Sequence, residues 1–260
     1  MKHIYFSSTL MWNATLPELF QTASQFGADG IELWAQQFES RNYSEEECLR
    51  LLDQSQLRLL IHSKSWDLNY ASLNRSIREA SLSEIKNSIH LAEKLHAQEI
   101  TIHPPHASLG KDLPLYRELA YQGFCEILQS AHRAGVTVSL EVMEKTLKEL
   151  MTTPQQVREL TRDLYPDFSY TLDIAHCDTE EEVRNGLSDL SNLSKLHISN
   201  RRGKTYHTLL PDGDFNFQKL WPLLTSSHLP MVVEGFDRSS QYADLFQNIK
   251  FIQTLKECSQ

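Results

Sequence analysis

Eight times along the chain a short apolar or alternating run is followed by a longer stretch with helical periodicity, and this recurrence constrains the fold more than any other feature. The runs are HIYFSS (3–8), DGIELW (29–34), LRLLIH (57–62), QEITIH (98–103), VTVSLEV (136–142), FSYTLD (168–173), SKLHIS (194–199) and PMVVEG (230–235). Eight strand-helix units in 260 residues match a (β/α)₈ TIM barrel, whose usual length is about 250 residues. The expected class is therefore α/β, with one barrel domain spanning 1–260. A doubly wound open sheet is the competing arrangement, but the chain has neither the GxGxxG nor the Walker sequence that such sheets use for phosphate.

The helical stretches carry their own start and stop signals. Thr15 precedes LPELFQTASQF, Ser44 has Glu47 three residues on in the pattern of a capping box, and Thr153 precedes Pro154 at a first helical position. Gly27 and Gly135 each stand just before a strand, where a helix can end in a left-handed residue at little cost. The longest helical tract is expected over 77–96, after a long loop at 63–75 of the kind that carries function.

Composition narrows the class. Hydrophobic residues make up 40% and charged residues 23% of the chain, which is enough for a buried core, and 9 Gly and 9 Pro exclude collagen-like and low-complexity architectures. The N-terminal stretch is too short and too broken for a signal peptide or a membrane span. Cys48, Cys125, Cys177 and Cys258 form no CxxC pair and read as reduced thiols. A cytoplasmic protein with no membrane partner is the expectation. The net charge of −9 opposes binding modes that need a broad basic surface, so no nucleic-acid partner is expected.

In a barrel of this kind the C-terminal strand ends converge on one mouth. Strand two carries Glu32, strand three ends at His62, strand four at His103, strand five at Glu141 and strand six at Asp173, while strand seven holds His197 and strand eight Glu234. A single His at a strand end is ordinarily a hydrogen-bonded structural residue, and a single Glu a solvated rim charge. Several carboxylates in one mouth, however, would repel unless a cation sat among them. Glu141, Asp173, His197 and Glu234 offer three carboxylates and one imidazole, a set that suits Mn²⁺, Mg²⁺ or Co²⁺ and tolerates Zn²⁺. Trp34 and Trp66 lie at or just beyond strand ends, where an indole can stack on a sugar ring or simply pack. Arg201 and Arg202 can clamp a phosphate or carboxylate, although a basic pair in a loop is ordinarily solvated. His106 reads as a rim residue and Cys177 as packing. His3, His90, His96, His132 and His228 lie in helices or at strand starts and take no role.

The stretches DGIELW, IHSKSWDLNYASLNRSIREAS, ITIHPP, SLEVME, TLDIAH, KLHISN, YHTLLPDGDFNF and VVEGF occur in this order. The chain they span resembles the xylose isomerase-like TIM barrels. That group includes sugar and sugar phosphate isomerases and epimerases, dehydratases, and the apurinic nucleases called endonuclease IV. The resemblance implies that Glu141, Asp173, His197 and Glu234 hold the metal. It further implies that His62, His103, His176 and His207 contact substrate, as in the isomerases, or bind additional zinc, as in the nuclease. The nuclease pattern has an Asp two residues before the position of His207, where this chain has Thr205. It also departs at Pro211-Asp212-Gly213 and at the ISNRRGK segment.

The leading expectation is a metal-dependent isomerase or epimerase of a small sugar, sugar phosphate or related polyol carbonyl compound, with one divalent metal ion per chain. In this reading Glu141 and Glu234 exchange the proton beside the carbonyl. A dehydratase would use the same apparatus. The alternatives are a zinc phosphodiesterase of the endonuclease IV type, and a barrel that binds metal and ligand without turnover. A homo-oligomer is compatible with all three.

Overall fold

Seven of the eight runs contain a whole barrel strand, and the run at 194–199 covers all but the first residue of its own. In the computed structural model, which describes residues 4–109 and 113–258, these are β1 (Ile4–Ser7), β2 (Gly30–Trp34), β3 (Arg58–His62), β4 (Glu99–Ile102), β5 (Thr137–Val142), β6 (Ser169–Asp173), β7 (Leu193–Ile198) and, last in the chain, β10 (Met231–Val233). All pair in parallel with their sequence neighbours, and β10 closes on β1. His3 lies outside the described residues. Two strands were not expected. β8 (Asn200–Arg202) and β9 (Thr205–Thr208) form an antiparallel hairpin directly after β7.

The helices form where the caps place them. In α1 (Leu16–Gln25) the Thr15 hydroxyl accepts from the Glu18 amide while the Glu18 carboxylate accepts from the Thr15 amide at 2.6 Å, a complete capping box. In α3 (Glu45–Gln54) Ser44 caps, but the expected box is only half made: Glu47 lies 3.7 Å from Arg50, one turn on. Thr153 caps α6 (Pro154–Thr161) by accepting from the Gln156 amide. Gly27 and Gly135 adopt φ of +61° and +66°, as their positions require. The tract expected to be longest is α4 (Arg75–Lys94), but α5 (Leu113–Ala134) exceeds it, 22 residues against 20. His96 falls outside α4, in a left-handed conformation (φ 56°) that ends the turn after Leu95.

Side chains alternate along a strand, so the two faces of the barrel wall have separate contents. The outward residues, among them Ile31, Leu33, Ile61, Ile100, Ile102, Leu140 and Leu172, are buried under the helices and form the apolar core. The interior is different. Branched apolar layers ordinarily fill such a barrel, whereas here Glu32, Thr101, Ser139, Thr171, Lys195 and His197 are all buried. Contacts between strands that are not neighbours must cross the interior. The Thr101 hydroxyl on β4 donates to Glu32 on β2 at 2.7 Å, and the Lys195 ammonium on β7 donates to Glu99 on β4 at 2.5 Å. No helix among the described residues is long and apolar enough to cross a membrane.

Candidate metal centre and substrate cavity

Barrel closure brings the strand-end residues to one place. Asp173 and His197 are register partners on β6 and β7, and Glu234 directly follows β10, where its amide donates to the Ile198 carbonyl at 3.1 Å. Glu141 enters from β5, His62 from the end of β3 and His103 from just beyond β4. His176 lies between β6 and α7 (Glu180–Asp189), and His207 is carried in by β9, a hairpin strand that periodicity does not predict.

His197 Nδ1 lies 3.0 Å from Glu234 Oε2 and 3.6 Å from Glu141 Oε1. His103 Nε2 and His62 Nε2 lie 3.2 and 3.5 Å from Glu141 Oε2. His176 Nε2 and His207 Nδ1 lie 3.6 and 3.7 Å from Asp173 Oδ2. Three overlapping groups result: Glu141, Asp173, His197 and Glu234; His62, His103 and Glu141; and Asp173, His176 and His207. Within each group the ligand atoms lie within 4.8 Å of one another. The third group differs from the sequence expectation, in which Thr205 left His176 and His207 without a carboxylate. Thr205 is exposed on β9, and Asp173 takes that place instead.

Whether this set fits a cation is decided by its unsatisfied atoms. Glu141 Oε2, Asp173 Oδ2, His197 Nδ1, Glu234 Oε2, His62 Nε2 and His103 Nε2 are buried without a hydrogen-bond partner. One such atom costs roughly 1–3 kcal/mol, and a cation placed among the six would satisfy them together. Tautomers agree with this. His62 Nδ1 lies 2.9 Å from the Ser63 carbonyl, and His176 Nδ1 lies 2.9 Å from the Val142 carbonyl. A carbonyl only accepts, so both Nδ1 atoms carry the hydrogen and both Nε2 lone pairs face the site. The residues fit a divalent ion.

Without an ion, protons on the imidazoles balance the carboxylates. Burial disfavours the charged form of His197, but Glu32, Glu234 and Glu141 carry it well above the usual histidine range. His176 rises to about 9, with burial outweighed by Asp173, Glu141 and Glu144. Burial pushes the Glu141 and Glu234 carboxyls up, and neighbouring imidazoles, His197 foremost, more than reverse it, so both stay ionised. Asp173 moves the other way, to about 6, because burial dominates over His176 and His207.

Above these residues opens a cavity of about 870 Å³. Trp34 forms one wall, stacked on His62 at 3.8 Å between ring centroids, with its own buried Nε1 unpartnered. Trp66, 41% exposed, continues that wall outward to Phe236. Tyr206, Glu144, Glu149 and His106 also line it. No Lys or Arg lines the cavity among the described residues.

The arginine pair is not in this cavity. Arg201 is buried, donating to the Cys177 carbonyl at 2.7 Å, to Asp178 at 2.6 Å and to the Gly203 carbonyl, with Tyr206 beneath its guanidinium. Arg202 is exposed on the hairpin and pairs with Asp212. Arg201 is held by the Cys177 and Gly203 carbonyls and Asp178, and Arg202 by Asp212, and neither lines the cavity where a clamp would act. Cys177 is buried, and burial raises its thiol far above the ordinary value, which makes it packing. Glu144, Glu149, Tyr206 and Lys195 received no role from the sequence. The alternation of strand seven did signal Lys195, two residues before His197 and therefore on the same inward face.

The family model described as xylose isomerase-like TIM barrel matches residues 20–255. The chain belongs to this family. Among curated relatives, an uncharacterized protein of Methanocaldococcus jannaschii is 22% identical over 215 residues, covering 78% of this chain and 73% of its own. Among solved structures, a D-tagatose 3-epimerase-like protein superposes with a TM-score of 0.83 at 19% identity, covering 98% of this chain and 97% of its own. Endonuclease IV from Thermus thermophilus superposes with a TM-score of 0.77 at 14% identity, covering 98% and 99%. At these identities the likeness shows a shared fold. The solved structures that share this fold thus include both a protein described as D-tagatose 3-epimerase-like and an endonuclease IV.

Proposed function

We propose that the protein is a metal-dependent isomerase or epimerase of a small, unphosphorylated sugar or related polyol carbonyl compound. The observation that carries this reading is the convergence of unpartnered atoms from Glu141, Asp173, His197 and Glu234 beneath a cavity walled by indoles and carboxylates. A divalent ion held by these four residues would supply the positive charge that stabilises negative charge developing on a substrate oxygen. Glu141 and Glu234 arrive from different parts of the barrel wall and are both ionised. One carboxylate takes the proton from the carbon beside the carbonyl and later gives it up to solvent, while the other takes a proton from solvent and delivers it to the opposite face of that carbon. His103, His176 and His207 face the same cavity and hydrogen-bond substrate hydroxyls. Trp34 and Trp66 present ring faces to a sugar.

Phosphate recognition calls for cationic side chains or a helix N-terminus. The described lining offers no Lys or Arg and adds Asp67, Glu144 and Glu149, which supports an uncharged substrate. The test is incubation of Mn²⁺-loaded protein with a panel of aldoses, ketoses and their phosphates in deuterated water. Deuterium is expected at the carbon next to the carbonyl of an unphosphorylated member. Exchange confined to phosphates, or none at all, would sink the proposal. A dehydratase would reveal itself in the same spectra by loss of water from substrate.

A second reading, a zinc phosphodiesterase, draws on the two further groups around His62–His103 and His176–His207. The net charge of −9 and the acidic cavity oppose a polyanionic substrate. Elemental analysis of protein purified without chelators separates the two: one equivalent of divalent metal is expected. Three equivalents of zinc together with nicking of a duplex carrying an abasic site would reverse the order.

A further inference from the structure

The charged residues deep in the barrel have no part in the chemistry above, and burying them is costly unless something requires them. Glu32 is fully buried on β2, one layer below the mouth. Its Oε2 lies 3.0 Å from His197 Nε2, on the far side of the imidazole from Glu141 and Glu234. Its Oε1 accepts from the Thr101 hydroxyl at 2.7 Å and lies 3.9 Å from Lys195 Nζ. Lys195, 1% exposed, in turn donates to Glu99 at 2.5 Å. A continuous chain thus runs from the mouth to the lower barrel through Glu234, His197, Glu32, Lys195 and Glu99.

We propose that Glu32 is a positioning residue for His197, and that Lys195 is the buried counter-charge that makes a carboxylate tolerable there. An imidazole offers a lone pair from one nitrogen only when the other carries the hydrogen. Glu32 Oε2, 3.0 Å from Nε2, favours the hydrogen on that nitrogen, which leaves the Nδ1 lone pair facing Glu141 and Glu234 and fixes the ring plane. His62 and His176 are oriented by backbone carbonyls, so His197 alone of the three depends on a side chain. A carboxylate also raises the basicity of the imidazole it holds, which a carbonyl does less. Thr101 takes the second oxygen of Glu32 and so prevents the carboxylate from rotating away.

The inference rests on the metal-centre reading, so its test measures metal binding without turnover. Competition of wild type, Glu32→Gln, Lys195→Met and the double variant against a chelator gives the affinity for Zn²⁺, the visible spectrum of Co²⁺-loaded protein reports the ligand field, and melting of metal-free protein reports stability. Glu32→Gln is expected to weaken metal binding by roughly 10–100-fold and to change the Co²⁺ spectrum, while melting close to wild type, because Lys195 keeps Glu99. Lys195→Met takes the close cation from Glu99 and leaves Glu32 with His197 as its counter-charge, and is expected to melt lower. The double variant leaves only the partly exposed Glu99 without its partner and is expected to recover part of that stability while binding metal as weakly as Glu32→Gln. Wild-type affinity and spectrum in Glu32→Gln, or affinity that tracks melting temperature across all variants, would overturn the inference alone. A wild-type protein that binds no divalent ion would overturn it together with the reading of the site.

Discussion

Glu141 and Glu234 are 1% and 6% exposed, yet His197 lies against both and keeps them ionised. Each is proposed as both ligand and proton acceptor. Glu141→Gln and Glu234→Gln should therefore each lower turnover of the true substrate by at least about 10²-fold and weaken metal binding, with an unchanged far-UV circular dichroism spectrum. Wild-type rates in either variant would remove that carboxylate from the mechanism. Glu149 gives a pH signature of its own. Burial, reinforced by Glu144, raises its carboxyl from the ordinary 4.5 to about 7. The folded state therefore holds this proton more tightly than the unfolded chain, and stability present below about 4.5 is lost as pH rises to about 7. Metal-free Glu149→Gln should be more stable than wild type by about 1–3 kcal/mol at pH 8, with the gap closing at about pH 4.5. Urea melts at the two pH values check this. The convergence of Glu141, Asp173, His197 and Glu234 was legible because strand ends in a closed barrel have only one place to go. The direction of Arg201 was not, since it depends on the Cys177 carbonyl and the Asp178 carboxylate, which reach it only after folding. The double duty of Asp173, near His197 on one side and His176 and His207 on the other, likewise needs three dimensions.

At the scale of elements, local signals acted where they were strong. Thr15 and Glu18 satisfy each other's backbone amides at the start of α1, and the hydrogen bonds from Thr15 hold the Glu18 carboxyl below its usual range. Thr15→Ala should cost about 1 kcal/mol of stability, measured by urea unfolding, and leave metal affinity unchanged, because α1 is on the barrel's outside. A larger loss would mean that Thr15 has a tertiary role. All eight barrel strands were readable from periodicity because each is a short run buried on both faces over most of its length, and several adjoin capped helices. The β8–β9 hairpin escaped because its sequence, NRRGKTYHT, is polar throughout and three to four residues per strand is too short for a pattern. Its two-residue Gly203-Lys204 connection, with Gly203 at φ +57°, was the available signal. This hairpin matters because it suspends Tyr206 and His207 over the mouth.

For the molecule as a whole, closure of the barrel sets which parts can exist separately. Many barrels are filled by apolar layers, which half a barrel can hold together as a sticky surface. Here the interior ties β2 and β4, from the first half of the chain, to β7 in the second, through Glu32, Glu99 and Lys195. A piece covering 1–134 would have to seat two interior carboxylates with no lysine to meet them, and 135–260 would hold the lysine alone. The two halves should therefore be unfolded when produced apart and regain amide-exchange protection only when mixed. A first half that melts cooperatively by itself would refute this. The lysine that neutralises the floor of the barrel thus also acts as a latch between its halves, and a half-barrel that stands alone would need a different interior.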